Sequence, residues 1–93
     1  MIVGILTIDI IIPTSASLKD KRMALNHIRD RVNSKFNVSV AEVDFLDKWQ
    51  RSLVAIAMVS AQRAFAEDVL NKIFQLLDTD LNFEISKYTI EFR

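Results

Sequence analysis

The stretch from Ile2 to Ile12 has the sequence IVGILTIDIII and is followed by Pro13. β-Branched residues dominate it, and proline cannot donate to the hydrogen-bond ladder of a sheet. Its apolar residues occupy both the odd and the even positions (the two parities of the strand) instead of alternating with polar ones. This pattern is typical of a strand that is buried on both faces. The stretch therefore predicts a central β-strand, around which the rest of the fold is arranged.

The residues after this strand predict a helix. Ser17 precedes the apolar Leu18, and Asp20 follows three positions later, which resembles a capping box with Asp in the place of Glu or Gln. Apolar residues then recur mainly at steps of three or four, with one gap of seven residues, as in an amphipathic helix. We therefore expect a helix near residues 17–35. Its apolar positions are Leu18, Leu25, Ile28, Val32 and Phe36.

The remaining elements follow in a simple order. Residues 37–46 and 49–60 predict two strands joined by a short polar connection of hairpin length. Residues 61–77 carry apolar side chains at helical spacing, and residues 82–92 predict a closing strand. The order β-α-β-β-α-β predicts a single α+β ferredoxin-like domain over residues 1–93. We expect a four-stranded antiparallel sheet, with the first and third strands in the middle and both helices on one face.

The composition excludes several classes of site. The 93 residues include one histidine and no cysteine, so a Cys-based zinc site, an iron–sulfur cluster, a thiol nucleophile and a multi-histidine metal site are ruled out. We expect no metal and no cofactor. The apolar start lacks the basic leading region of an export signal and carries Asp9. Because no apolar run approaches the roughly 20 residues that cross a bilayer, we expect a cytoplasmic protein without a membrane partner.

Charge is balanced overall but is distributed unevenly along the chain. Six basic and three acidic residues precede Asn37, whereas six basic and nine acidic residues are found from there onward. The basic residues of the first helix could follow a phosphate backbone, which Lys and Arg bind by charge. A charged helix face is also ordinary solvated surface, so both interpretations stay open. The candidate nucleic-acid surface consists of Lys19, Lys21, Arg22 and Arg29.

A second candidate site surrounds the connection between the second and third strands. Glu42 and Asp44 are two residues apart and should share a strand face, where paired carboxylates could bind a divalent cation or serve in acid–base chemistry. No His, Ser or Cys partner accompanies them, so ion pairing within the hairpin is the simpler interpretation and no catalytic residue is assigned. The polar cluster consists of Glu42, Asp44, Asp47, Trp49 and Arg51.

Two functions found in proteins of this topology are disfavoured. RNA-recognition domains stack bases on aromatic residues of the central strands. Here the first strand has no aromatic residue, and the third has only Trp49 at its edge. A Gly-flanked phosphate loop with an adjacent Arg, as in acylphosphatases, is also missing. His27 lies in the first helix between basic neighbours and is expected to be a surface or boundary residue instead of a catalyst.

The two central strands are apolar in both parities. One parity must face the helices, which leaves the other exposed over an area on the order of several hundred Å², more than soluble monomers usually tolerate. A second copy packed sheet against sheet would cover it, although a loop or a chain end could do the same. We therefore predict a homodimer. The candidate dimer face consists of Val3, Ile5, Leu53, Ala55 and Ala57, or of the alternative set Leu6, Ile8, Ile10, Val54, Ile56 and Met58 if that set faces outward.

Four stretches of the chain together match a known pattern in order and spacing. They are MIVGILT from Met1, SLKDKR from Ser17, FNVSVAEVD from Phe36, and DKWQR from Asp47 with Val59-Ser60 after it. In combination they resemble the YlxP-like family of small uncharacterised bacterial proteins, over essentially the whole chain.

The resemblance to YlxP-like proteins implies a ferredoxin-like fold, a bacterial cytoplasmic protein, and genes beside those for translation initiation and ribosome-binding factors. It implies no established activity. The leading hypothesis is therefore a non-enzymatic module that binds RNA or a ribosome-associated partner through the basic first helix. The alternative is a small-ligand-binding protein or an enzyme that uses the polar cluster, since the fold alone does not decide function.

Overall fold

Four strands form one antiparallel sheet in the computed structural model, which describes residues 1–93. The sheet has the order β2-β3-β1-β4, and a helix connects β1 to β2 and β3 to β4. The predicted ferredoxin-like fold, with β1 and β3 in the middle, is therefore confirmed. The elements are β1 (Ile2–Ile11), α1 (Leu18–Asn33), β2 (Ser39–Asp44), β3 (Arg51–Ser60), α2 (Arg63–Asp78) and β4 (Glu84–Phe92).

The connection between β2 and β3 is longer than the sequence predicts. Phe45 has a φ of 61° and therefore leaves the extended conformation, and its N–H is bonded at 2.7 Å to the side chain of Asp44. β2 ends at this turn, and β3 begins only at Arg51. Trp49 consequently belongs to the turn and not to a strand, contrary to the prediction.

The helix cap predicted at Ser17 is confirmed. Its Oγ accepts a hydrogen bond from the N–H of Asp20 at 3.1 Å, so α1 begins at the following residue, Leu18. The carboxylate of Asp20 accepts from the N–H of Ala16 at 2.9 Å, one residue before the position of a standard capping box. Neither α1 nor α2 combines the length and the apolar character needed to span a membrane.

The core lies between the sheet and the two helices. One parity of the central strands is almost fully buried there, and the side chains of α1 and α2 that face the sheet complete it. The other parity lies on the opposite side of the sheet, which no helix covers and which we call the open face. Core residues of the central strands are Leu6, Ile8, Ile10, Val54, Ile56 and Met58; those of the helices are Ile28, Val32, Ala66, Leu70, Ile73 and Leu77.

The strand register determines which residues share the open face. Val3, Ile5, Leu53, Ala55 and Ala57 all have the parity that points away from the core, and each is partly exposed. The five residues proposed as a dimer face from the sequence therefore lie together on one surface.

Candidate functional site

Three of the four basic residues predicted to bind nucleic acid lie along one flank of α1. Lys19, Arg22 and Arg29 are exposed, and their spacing of three and seven residues places them on one side of the helix over about 15 Å. None of the three takes part in an ion pair. Arg29 donates to the backbone carbonyl of Val40 at 3.5 Å and to the side chain of Asn26 at 3.2 Å. We call these three residues the α1 flank, which borders the edge strand β2.

Lys21 is not part of this surface, and its assignment to a phosphate-binding face is wrong. The residue is only 3% exposed. Its Nζ lies 2.8 Å from the carboxylate of Glu42 and donates to the carbonyls of Phe45 at 2.8 Å and Leu46 at 3.3 Å. Because an ammonium group has three N–H donors, these partners occupy it fully. Lys21 therefore fastens the β2–β3 connection to α1.

Glu42 and Asp44, the carboxylates predicted to form a pair in β2, lie on opposite faces of the sheet. Glu42 points toward the helices, where it pairs with Lys21 and accepts from the hydroxyl of Ser52 at 2.6 Å. The β2–β3 register shifts between Glu42 and Asp44, so Asp44 is opposite Leu53 on the open face. The prediction that Glu42 and Asp44 share a strand face is therefore wrong, because an irregularity of this kind reverses the parity of the residues after it.

Arg51 forms a two-bond ion pair with a carboxylate that the sequence analysis did not assign to the site. Its Nε and Nη2 donate to the two oxygens of Asp9 at 3.2 and 2.8 Å. The guanidinium also stacks on the ring of Phe45, 4.0 Å from its centre. The hydrogen bond from Arg51, supported by the charges of Arg51 and Lys87, lowers the pKa of Asp9 although burial opposes this. Asp9 is the only acidic residue in the apolar sequence of β1. Because a buried carboxylate needs a counter-charge or hydrogen bonds, its position in the sequence indicates a partner such as Arg51.

The other members of the polar cluster surround an open cleft of about 660 Å³ at one end of the sheet. Asp47, Trp49 and Arg51 all line it, and Trp49 is 55% exposed. Gln50 anchors this segment by donating to the carbonyls of Pro13 and Ser15. The structure therefore brings part of the predicted cluster together, without Glu42 and Asp44. The cleft, called the Trp49 cleft below, is lined by Ile11, Phe45, Asp47, Lys48, Trp49, Gln50 and Arg51.

A further polar network links α1 to the connection between α2 and β4. Asp80 is buried, and one of its oxygens lies 2.8 Å from both His27 Nε2 and Arg31 Nη1. Its other oxygen accepts from the backbone and side-chain amides of Asn82. Burial raises the pKa of Asp80, but the hydrogen bonds from Asn82, His27 and Arg31 outweigh it and lower the pKa to about 2.

The surroundings of His27 indicate a structural role. His27 is about half exposed, as expected for a boundary residue, and lines a shallow cleft with the hydroxyl residues Thr14 and Ser15. Ser15 Oγ donates to the carbonyl of Ser17 at 3.1 Å. No group of three or more His, Asp or Glu side chains is placed to hold a metal ion.

Comparison with known proteins identifies the family. Residues 3–90 match the family model described as Protein of unknown function (DUF503). The chain belongs to the DUF503 family. A curated relative, Uncharacterized protein YlxP from Bacillus subtilis (strain 168), is 39% identical over 77 residues, which cover 83% of this chain and 84% of the relative. The resemblance to YlxP-like proteins is thereby confirmed.

In this DUF503 chain the α1 flank and the β2–β3 connection meet at a small groove. Leu18 and Arg22 line the groove from α1, and Leu46 lines it from the connection. Lys21 and Glu42 form its base and hold the two elements together. The basic residues at the start of α1 therefore keep a fixed position relative to the turn that carries Trp49.

Proposed function

We propose that this chain acts in the cytoplasm as a non-enzymatic module that binds RNA, free or within a ribosome-associated particle, through the α1 flank. The observation that supports the proposal is the exposure of Lys19, Arg22 and Arg29 on one side of α1 with no acidic partner. Lys and Arg side chains in such an arrangement contact phosphate oxygens by charge and hydrogen bonding. Because the chain is neutral overall, binding depends on this local arrangement and not on net charge.

Asp20, which follows Lys19 in the chain, forms no ion pair with the flank. The carboxylate of Asp20 accepts a hydrogen bond from the N–H of Ala16, just before the start of the helix. Arg29 is oriented by its bonds to Asn26 and Val40, which reduces the side-chain entropy lost when it contacts a phosphate. The flank is therefore partly organised before any ligand binds.

RNA binding should show the salt dependence of phosphate contacts. With three contacts, the logarithm of the association constant should fall against the logarithm of the salt concentration with a slope of about −2 for single-stranded RNA. Reversing two charges with Lys19→Glu and Arg22→Glu should weaken binding more than about tenfold and flatten this slope. Fluorescence anisotropy of a labelled single-stranded RNA and of a duplex of equal length provides the measurement.

The matched control reverses two exposed charges on α2, with Arg63→Glu and Lys72→Glu. It changes the net charge by the same amount, so it should leave most of the affinity intact. Equal losses in the two double variants, or an affinity that does not change with salt, would contradict the proposal.

The Trp49 cleft supports a second candidate function, the binding of a small planar ligand. Trp49 offers a half-exposed ring, and Arg51 offers a guanidinium already held by Asp9 and Phe45. A flat ring stacks on both kinds of surface. This candidate replaces the carboxylate site considered from the sequence, because Glu42 lies on the other face of the sheet.

Trp49 also reports on its own cleft, because it is the only tryptophan in the chain. Titration with AMP or UMP should quench its fluorescence in a saturable manner, and Lys48→Ala should weaken the effect. Lys72→Ala on α2 serves as the control. Fluorescence that does not respond to either nucleotide would exclude this function for nucleotides, while the result for RNA on the α1 flank would stand independently.

A further inference from the structure

The open face has a regular arrangement of residues in rows across the four strands. The middle row contains only small side chains, and a row with larger or charged side chains lies on each side of it. From β2 to β4, the middle row is Ala41, Ala55, Thr7 and Thr89. The flanking rows are Asp44, Leu53, Asp9 and Lys87 on one side, and Ser39, Ala57, Ile5 and Glu91 on the other.

The charges of the open face nearly cancel. Asp9 is paired with Arg51, and Arg93 Nη2 lies 3.3 Å from Glu91. Lys87 adds a positive charge next to Asp9, and Asp44 and Glu84 add negative charges to the same face. A surface with this balance has no excess charge to attract phosphates, and two copies of it do not repel each other. The open face is therefore suited to protein and not to RNA.

The size of the open face is sufficient for a specific interface. Four strands spaced by about 4.8 Å give a width of about 19 Å, and the distance from Val3 to Ile11 is about 27 Å along the strand. The face therefore covers roughly 500 Å² per protomer, or about 1,000 Å² for two protomers, which reaches the minimum of about 1,000 Å² expected of a biological interface. Its middle row carries no charged side chain, in keeping with the depletion of charged residues at the centre of such interfaces.

We propose that a second copy of this chain covers the open face, sheet against sheet, with a two-fold axis that runs across the strands along the middle row. This axis exchanges the two flanking rows, so that Lys87 faces the partner's Glu91, and the reciprocal contact forms as well. Leu53 then packs against the partner's apolar row around Ile5 and Ala57. The small middle row lets the two sheets approach closely. Lys87 and Glu91 carry opposite charges and lie at equal distances on either side of the middle row. The open face is therefore complementary to a second copy of itself.

The oligomeric state tests this proposal directly. Light scattering and sedimentation should give about twice the chain mass of 10.7 kDa at micromolar concentration. Ala55→Glu places two carboxylates against each other at the centre of the interface and should give a folded monomer. Ala64→Glu, at an exposed position of α2, should remain a dimer. A wild-type mass of 10.7 kDa at every concentration, or a dimeric Ala55→Glu variant, would overturn the proposal.

Exchanging the charges of Lys87 and Glu91 tests the position of the two-fold axis. Both residues are exposed, so their substitution should leave the fold of the monomer intact. Lys87→Glu and Glu91→Lys should each raise the dimer dissociation constant about tenfold, since each sets like charges against each other twice. The variant with both changes restores opposite charges across the interface and should recover wild-type affinity. If the double variant is weaker than either single one, the assigned arrangement is wrong. Circular dichroism of all three variants confirms that the fold is intact.

Discussion

Replacing Lys21 with alanine is expected to destabilise the protein by about 3–5 kcal/mol, a large part of the total stability of a chain of this size. The change leaves the mostly buried carboxylate of Glu42 without its counter-charge and removes the donor to the carbonyls of Phe45 and Leu46. Urea unfolding followed by circular dichroism gives the free energy. Lys19→Ala, on the exposed side of the same helix, should change it by no more than about 0.5 kcal/mol.

A double variant separates the buried charge from the lost packing. Lys21→Met together with Glu42→Gln removes both charges, keeps the volume, and retains an acceptor for the hydroxyl of Ser52. Because a neutral pair avoids an unpaired buried charge, part of the stability should return, while the lost donor to the carbonyls of Phe45 and Leu46 keeps the variant below the wild type. If Lys21→Ala is as stable as Lys19→Ala, or if the double variant is no more stable than Lys21→Ala, the ion pair does not fasten the hairpin as described.

Asp80→Asn is expected to cost about 2 kcal/mol at neutral pH, and this cost should disappear in acid. The pKa of Asp80 is lowered from 3.8 to about 2, so its carboxylate stabilises the folded state above pH 4. The contribution is lost as the pH falls from about 4 to about 2. Unfolding free energies of wild type and variant, measured over this range, should therefore converge.

The difference between the two proteins is the relevant quantity, because the lowered pKa of Asp9 adds its own acid dependence to both. Asp78→Asn, at the exposed end of α2, is the control for the removal of one surface carboxylate. A difference between wild type and Asp80→Asn that stays constant from neutral pH to pH 2 would show that Asp80 is not held ionised by His27, Arg31 and Asn82.

The sequence predicts the fold because the signals for it are local. These signals depend only on neighbouring residues. They are the apolar pattern of β1, the cap at Ser17, and the spacing of three or four residues between the apolar positions of the helices. Lys21 had such a signal too, since it falls three residues after Leu18 and four before Leu25 and thus fills the gap in the apolar stripe. A lysine with a buried stem and a paired ammonium was therefore recognisable from its position.

The features that the sequence did not predict depend on contacts between distant segments. The irregularity between Glu42 and Asp44 accompanies a turn at Phe45 that α1 holds in place, and no nearby glycine or proline indicates it. Asp80 and His27 are 53 residues apart, so their pairing follows only from the packed structure. Candidate sites that depend on such contacts are therefore the least accessible to sequence analysis.

The short edge strand β2 has a consequence for aggregation. Edge strands offer unpaired N–H and C=O groups to which strands of other chains can add. β2 limits this risk because its pairing is irregular after Glu42, it ends at the left-handed Phe45, and Arg29 donates to the carbonyl of Val40. On the opposite edge, β4 carries the charge of Lys87 near its middle. Both edges thus resist the strand-by-strand growth that produces fibrils, so that pairing through the open face does not lead to open-ended assembly.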